Sequence, residues 1–145
     1  MNRKYDEVIS APFWLMSFIS FLFLTLVIAI WAALGNGATL FALAASVVAI
    51  FIIAFRAPLK ITVDDEWLIA GRARIERRYV GHVSALERDE YFLTRGRNGD
   101  PASFLALRFW INRGVKVELT DTRDATPYWL ISSKDPSALK EALKN

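Results

Sequence analysis

Residues 8–55 are 48 consecutive positions without an Asp, Glu, Lys, Arg or His, and a run of that kind leaves few folds open. Gly35, Asn36 and Gly37 divide it into two apolar segments, 13–34 and 38–55. At about 1.5 Å per helical residue these reach roughly 33 Å and 27 Å. Both lengths match a bilayer hydrocarbon core of about 30 Å. Inside lipid every backbone N–H and C=O needs an internal partner, which a helix supplies. The pattern predicts a cytoplasmic tail over residues 1–11, a transmembrane helical hairpin over 12–56 and a cytoplasmic domain over 57–145. The first apolar run is longer than a signal-peptide core and acids precede it, so a retained helix is expected rather than a cleaved leader.

The flanks of the hairpin predict its orientation. Pro12 suits a first helical turn, where its missing N–H has no role. Phe13 and Trp14 follow as membrane-interface aromatics. Arg3 and Lys4 precede the first span, Arg56 and Lys60 follow the second, and the connection between the spans is uncharged. Basic residues favour the cytoplasmic side, which predicts a multi-pass protein of the cell (plasma) membrane with both termini cytoplasmic. Ala29 and Ala33 in the first span, and Ala38, Ala42, Ala45 and Ala49 in the second, recur at helical spacing and would let the two backbones approach. Neither span carries an ionisable group, so a proton or ion pathway has no material there.

After Pro58 the period falls to two. Ile61 and Val63 alternate with Lys60 and Thr62, as in a half-buried strand. Asp64 and Asp65 mark a turn, residues 67–70 a returning strand, and Gly71 a break. A third strand is expected around 73–79, with Val83 and Leu86 inward beyond it. Residues 87–102 are polar and rich in glycine, with 95–101 reading as a mobile loop and Tyr91, Phe92 and Leu93 as the one interruption. Residues 104–111 fit a strand or a short helix. Val115, Val117 and Leu119 alternate with Lys116 and Glu118; 121–127 is a turn and 128–132 a strand. Asp135 is a good N-cap, Pro136 fits the first helical position, and Leu139, Ala142 and Leu143 make one apolar face. The expected class is an α+β membrane protein: a helical hairpin, then a small, mostly β domain closed by a C-terminal helix.

Composition narrows the chemistry. The chain lacks cysteine and has one histidine, His82, which removes disulfides, thiolate catalysis and a multi-histidine metal site. Residues 57–145 hold 15 basic and 13 acidic side chains, too even a balance for nucleic-acid binding. No glycine-framed serine and no phosphate-cradling loop accompanies His82 or Ser84. Asp64, Asp65 and Glu66 sit at a turn and read as solvated. Catalytic, cofactor and metal sites are therefore not expected. Two features point to binding. Arg72, Arg74, Arg77 and Arg78 gather four guanidinium groups within seven residues, suited to anionic headgroups or an acidic partner. Tyr128 and Trp129 are adjacent and so face opposite sides of a strand; either both pack in the core, or one of them, with Trp129 as the candidate, faces a partner groove.

The layout resembles known families. The strands from Leu59 to Leu86, closed by a terminal helix, look like the pleckstrin-homology-like domains that bacteria attach to paired membrane helices. The whole chain resembles an actinobacterial family of two-helix membrane proteins carrying a domain of unknown function. Tyr5, Glu7, Pro12, Trp14, Phe104, Leu105, Trp110 and Ile111 carry that likeness, with the segments 115–121 and, most specifically, 126–133 (TPYWLISS), then Pro136 and Leu139. The chain departs from the family pattern at Phe109, where proline is usual, and in its short, uncharged connection between the spans. The resemblance implies fold and location, not chemistry. The function expected on these grounds is a membrane-anchored, non-enzymatic interaction module that binds a protein partner or anionic lipid. The alternative is a structural or accessory subunit of a larger membrane complex.

Overall fold

The computed structural model describes residues 4–144, and these form two compact units. One comprises Ser10–Pro58, the other residues 4–9 together with 59–144.

The first unit is two helices, α1 (Phe13–Leu34) and α2 (Asn36–Arg56), packed against each other and separated by Gly35 alone. Gly35 has φ +79°, a left-handed conformation that a side chain makes costly. Thr39 Oγ1 donates to the Gly35 carbonyl at 2.8 Å, and Trp31 Nε1 to Asn36 Oδ1 at 3.0 Å, which satisfies polar groups at the bend. Both helices are long and apolar enough to cross a membrane, and 6% of the most apolar stretch of each is buried. The second helix begins two residues earlier than the apolar count suggests, because Asn36 and Gly37 continue the helix rather than form a loop.

The second unit is built on two four-stranded sheets. In the first, β1 (Tyr5–Ile9), β2 (Leu59–Val63), β3 (Trp67–Ala70) and β4 (Ala73–Glu76) follow one another as an antiparallel meander. Within the segment expected as a cytoplasmic tail over 1–11, Tyr5–Ile9 is a strand of the domain. Tyr5 to Ile9 pair with Val63 to Leu59, so the chain before the helical hairpin completes a sheet with the chain after it. Residues 1–3 of that tail, including Arg3, lie outside the described residues. Tyr5, Glu7 and Ile9 alternate inward, Ile9 is fully buried, and Glu7 is clamped by Ser133 Oγ and the Lys134 N–H, both at 2.7 Å. Gly71, at φ +65°, makes the two-residue turn between β3 and β4 possible.

A 3-10 turn, Arg77–Tyr79, leads into the second sheet, ordered β5 (Val80–Leu86), β7 (Gly114–Leu119), β8 (Tyr128–Ser132), β6 (Phe104–Ala106). β6 runs parallel to β8; the other pairs are antiparallel. The polar stretch 87–102 contains a helix the sequence did not declare, α3 (Arg88–Arg95), whose Tyr91 is fully buried; the loop expected over 95–101 follows it. The Tyr91 ring abuts Gly114, where a Cβ would collide with it and with the Ile131 carbonyl. The chain ends in α4 (Pro136–Lys144), with the Asp135 carboxylate accepting from the Ala138 N–H at 3.0 Å as the N-cap expectation requires. The main core joins Ile9, Ile61 and Leu68 of the first sheet to Val115, Val117 and Ile131 of the second, with Leu139 and Leu143 of α4. A smaller cluster of Leu86, Tyr91, Tyr128 and Leu130 fills the space beneath α3. The fold is α+β: two long apolar helices, two sheets and a C-terminal helix.

Candidate binding surface

The four clustered arginines do not form one basic face, because β4 ends in the middle of them. Within the strand Ala73 and Ile75 turn to the core, while Arg74 is exposed. Arg72 lies exposed in the turn before it. Beyond the strand, the 3-10 turn swings Arg77 inward. Its Nη1 donates to the Asp64 carbonyl at 3.1 Å, and its Nη2 to the carbonyls of Ala142 and Leu143 at 3.2 and 3.1 Å. Those last two belong to the open C-terminal end of α4, where a cation complements the helix dipole. Arg77 thus caps the closing helix. Arg78 is exposed but pairs with Glu76 at 2.6 Å and lies over the Tyr79 ring at 4.9 Å. Arg74 stacks on Trp67 at 5.1 Å.

Of the two readings open for Trp129, core packing is the one found. It is 6% exposed and packs on Phe104 at 4.7 Å, within the main core. Tyr128, on the opposite face, is buried as well, because α3 covers that side. Phe13 and Trp14 stand exposed in the first turn of α1, at 88% and 59%.

A groove of about 260 Å³ does form beside the arginines, lined by Trp67, Arg74, Tyr79, Asp121, Arg123 and Trp129 among others. The turn 121–127 contributes its far wall. Arg123 meets Asp121 with two nitrogens, Nε to Oδ1 at 3.1 Å and Nη2 to Oδ2 at 3.2 Å, and donates to the Tyr79 hydroxyl at 2.7 Å. The Arg123 side chain, then its backbone N–H, hold the Asp121 carboxyl below the ordinary carboxylate range. Glu76, Asp121 and Asp124 outnumber Arg74 and Arg123 there, so the groove offers stacking faces rather than positive charge. Asp64, expected as a solvated turn residue, is buried, and its carboxylate accepts the N–H groups of Glu66 and Trp67 at 2.9 and 2.7 Å. Those bonds lower its pKa and make it the staple of the β2–β3 turn. Among the described residues no three His, Asp or Glu side chains converge to hold a metal ion.

A surface that the clustering of charges did not reveal lies on the other side of the second sheet. Phe92 and Leu93 on α3 and Leu105 on β6 are exposed by 44%, 47% and 47%. The sequence signal was present in Tyr91, Phe92 and Leu93, three consecutive apolar residues of which a helix buries only one.

The fold is an α+β domain with a pair of apolar helices inserted between its first two strands. Residues 4–143 match the family described as protein of unknown function (DUF3093), and the chain belongs to that family. No curated protein and no solved structure matches the chain.

Proposed function

We propose that this protein is a membrane-anchored, non-enzymatic interaction module, presenting a pleckstrin-homology-like domain at the cytoplasmic face of the cell membrane. The observation that carries the reading is the insertion of the hairpin between paired strands. Three residues join β1 to α1 and two join α2 to β2, while α1 and α2 leave their apolar side chains uncovered. Helices of that kind need lipid around them, and connections so short keep the domain at the membrane surface. Two sheets closed by a terminal helix support the pleckstrin-homology-like assignment, and the two-span layout supports kinship with the actinobacterial membrane proteins that the sequence resembles.

The function is binding of a protein partner or anionic lipid. Tethering raises the local concentration of the domain, so weak contacts suffice for occupancy. Extraction of membranes at alkaline pH tests the anchoring: the full chain is expected in the pellet, and release into the supernatant overturns the reading. The alternative, a subunit of a larger membrane complex, draws on one observation. A groove of about 500 Å³ lined by Val47, Val48, Phe51, Ile52 and Phe55 runs along α2, wide enough to take apolar side chains of another helix. Crosslinking at Phe51 in membranes, followed by identification of the captured chain, distinguishes the two readings.

A further inference from the structure

We propose that the end of the first sheet from which the chain leaves for the hairpin is a contact for anionic phospholipid, with Lys60 and Arg72 meeting headgroup phosphate. This rests on the membrane-anchored reading above. Register brings the two cations together. Ile9 opposes Leu59 at that end of β1 and β2, and Val8 opposes Lys60 one position further in. The Lys60 carbonyl accepts the Gly71 N–H at 2.8 Å, so the two-residue turn between β3 and β4 lies at the same end, with Arg72 at its tip. Lys60 and Arg72 are exposed, and so is Val8, by 52%. Chain length holds this end near lipid at any tilt of the domain. Three Cα steps, from Arg56 to Leu59, reach at most about 11 Å, and the headgroup layer adds roughly 5–8 Å on each side of the hydrocarbon core. The long stems of Lys60 and Arg72 cover what distance remains.

Charge separates the two ends of this sheet. Residues 8–12, 57–63 and 67–75 hold Lys60, Arg72 and Arg74 and no acid. The acids stand at the opposite end, where the β2–β3 turn carries Asp64, Asp65 and Glu66 and β4 finishes at Glu76. Charges there are matched locally: Asp65 pairs with Lys4 at 3.4 Å, Glu76 with Arg78 at 2.6 Å, and Asp64 staples its own turn. Arg74 is drawn to that end as well, since its guanidinium lies over the Trp67 ring. Among the described residues, neither Lys60 nor Arg72 forms an ion pair. Lys134 reaches the same corner, its Nζ donating to the Val8 carbonyl at 3.3 Å. Three acids adjoin this corner in sequence or register. Asp6 lies beside Thr62, Glu7 faces inward and accepts from the hydroxyls of Tyr5 and Ser133, and Asp135 caps α4. Cations without protein partners, beside an exposed valine and tethered at headgroup depth, match a phosphate surface. A folded acidic partner would have to enter a space no deeper than the tether, which selects lipid.

The test uses the full chain in lipid nanodiscs that contain a phosphatidylglycerol analogue with a photoreactive headgroup, or the matching phosphatidylcholine analogue. Adducts are mapped by peptide mass spectrometry across a range of lipid fractions. Adducts within residues 69–74 are expected with the anionic analogue and in excess over the zwitterionic one. Lys60→Gln with Arg72→Gln is expected to lower the bound-to-unbound ratio there by about 30-fold. Arg74→Gln, at a side chain engaged with Trp67, is expected to leave it unchanged. Raising salt from about 0.1 to 1 M is expected to act as the double substitution does. Adducts at the ends of α1 and α2 with none at 69–74 overturn the contact and leave the anchoring in place. Adducts at 69–74 that are equal for the two lipids, or that survive the double substitution, also overturn it, because they reduce the contact to proximity. A loss with Arg74→Gln as large as that of the double variant overturns the division of the cluster. If the ends of α1 and α2 take no adduct, the membrane-anchored reading fails and this contact falls with it.

Discussion

Arg77 directs its guanidinium at three backbone carbonyls, two of them at the open end of α4, whereas Arg72 ends in solvent five residues earlier. Hydrogen bonds from a charged donor are worth about 1.5–3 kcal/mol, so Arg77→Gln is expected to destabilise the domain by that order. Arg72→Gln is expected to stay within about 0.5 kcal/mol. Thermal melts of the full chain in detergent compare the two, and equal shifts would show that Arg77 does not cap the helix. Tyr5 makes a separate prediction in alkali. Burial, more than its neighbour Glu7, pushes its phenol up from 10 to about 12. The folded state therefore favours the neutral phenol: this stabilisation is complete below pH 10, declines as pH rises and is gone above about 12. Tyr5→Phe should remove that alkaline decline while losing one hydrogen bond to Glu7, about 1 kcal/mol. Stability profiles of both proteins across this window give the answer; parallel curves would sink the assignment.

Among the elements, α4 and β1 contrast in how openly the sequence declares them. α4 has a capping aspartate, a proline at its first position and Leu139 and Leu143 one turn apart, and these local signals suffice. β1 has the right alternation in Tyr5, Glu7 and Ile9, but two acids in five residues read as a solvated tail. Only a partner strand some 50 residues onward gives the alternation a meaning. α3 is hidden for another reason. Eight residues are too few to hold a helix by propensity, so burial of Tyr91 decides it, although Asp89 and Glu90 in its first turn and Arg95 in its last do fit the dipole. The arginine cluster misleads because side-chain direction depends on where β4 stops, which spacing does not record. If β1 is integral, Ile9→Ala should cost about 2–5 kcal/mol, as should Leu139→Ala, since both side chains are fully buried. A Leu139→Ala loss without an Ile9→Ala loss in chemical denaturation would return β1 to the status of a tail.

For the whole molecule, the pairing of β1 with β2 adds a constraint that charge alone does not impose. Ile9 opposes Leu59, so the chain leaves the sheet into the hairpin and returns from it at adjacent positions. With three and two residues in the connections, both ends of a membrane-inserted hairpin must emerge on one side if the domain is to close. The positive-inside bias of Lys4, Arg56 and Lys60 would choose the cytoplasmic side under the proposed anchoring. Under the proposed anchoring, a cysteine at Asn36 is expected to react with an impermeant thiol reagent on intact cells, while cysteines at Ser10 and Ser137 react only after permeabilisation. Reaction of Asn36 and Ser137 from the same side would overturn the hairpin. The sharper experiment moves the charge: Asn36→Arg with Gly37→Arg, combined with Arg56→Gln and Lys60→Gln, weakens the bias. Ser10 and Ser137 are then expected to change sides together or not at all, because a molecule with its ends apart loses β1, leaves the Ile9 site in the core empty and is open to proteolysis. A stable, protease-resistant population with Ser10 and Ser137 on opposite faces would show that the domain closes without its first strand.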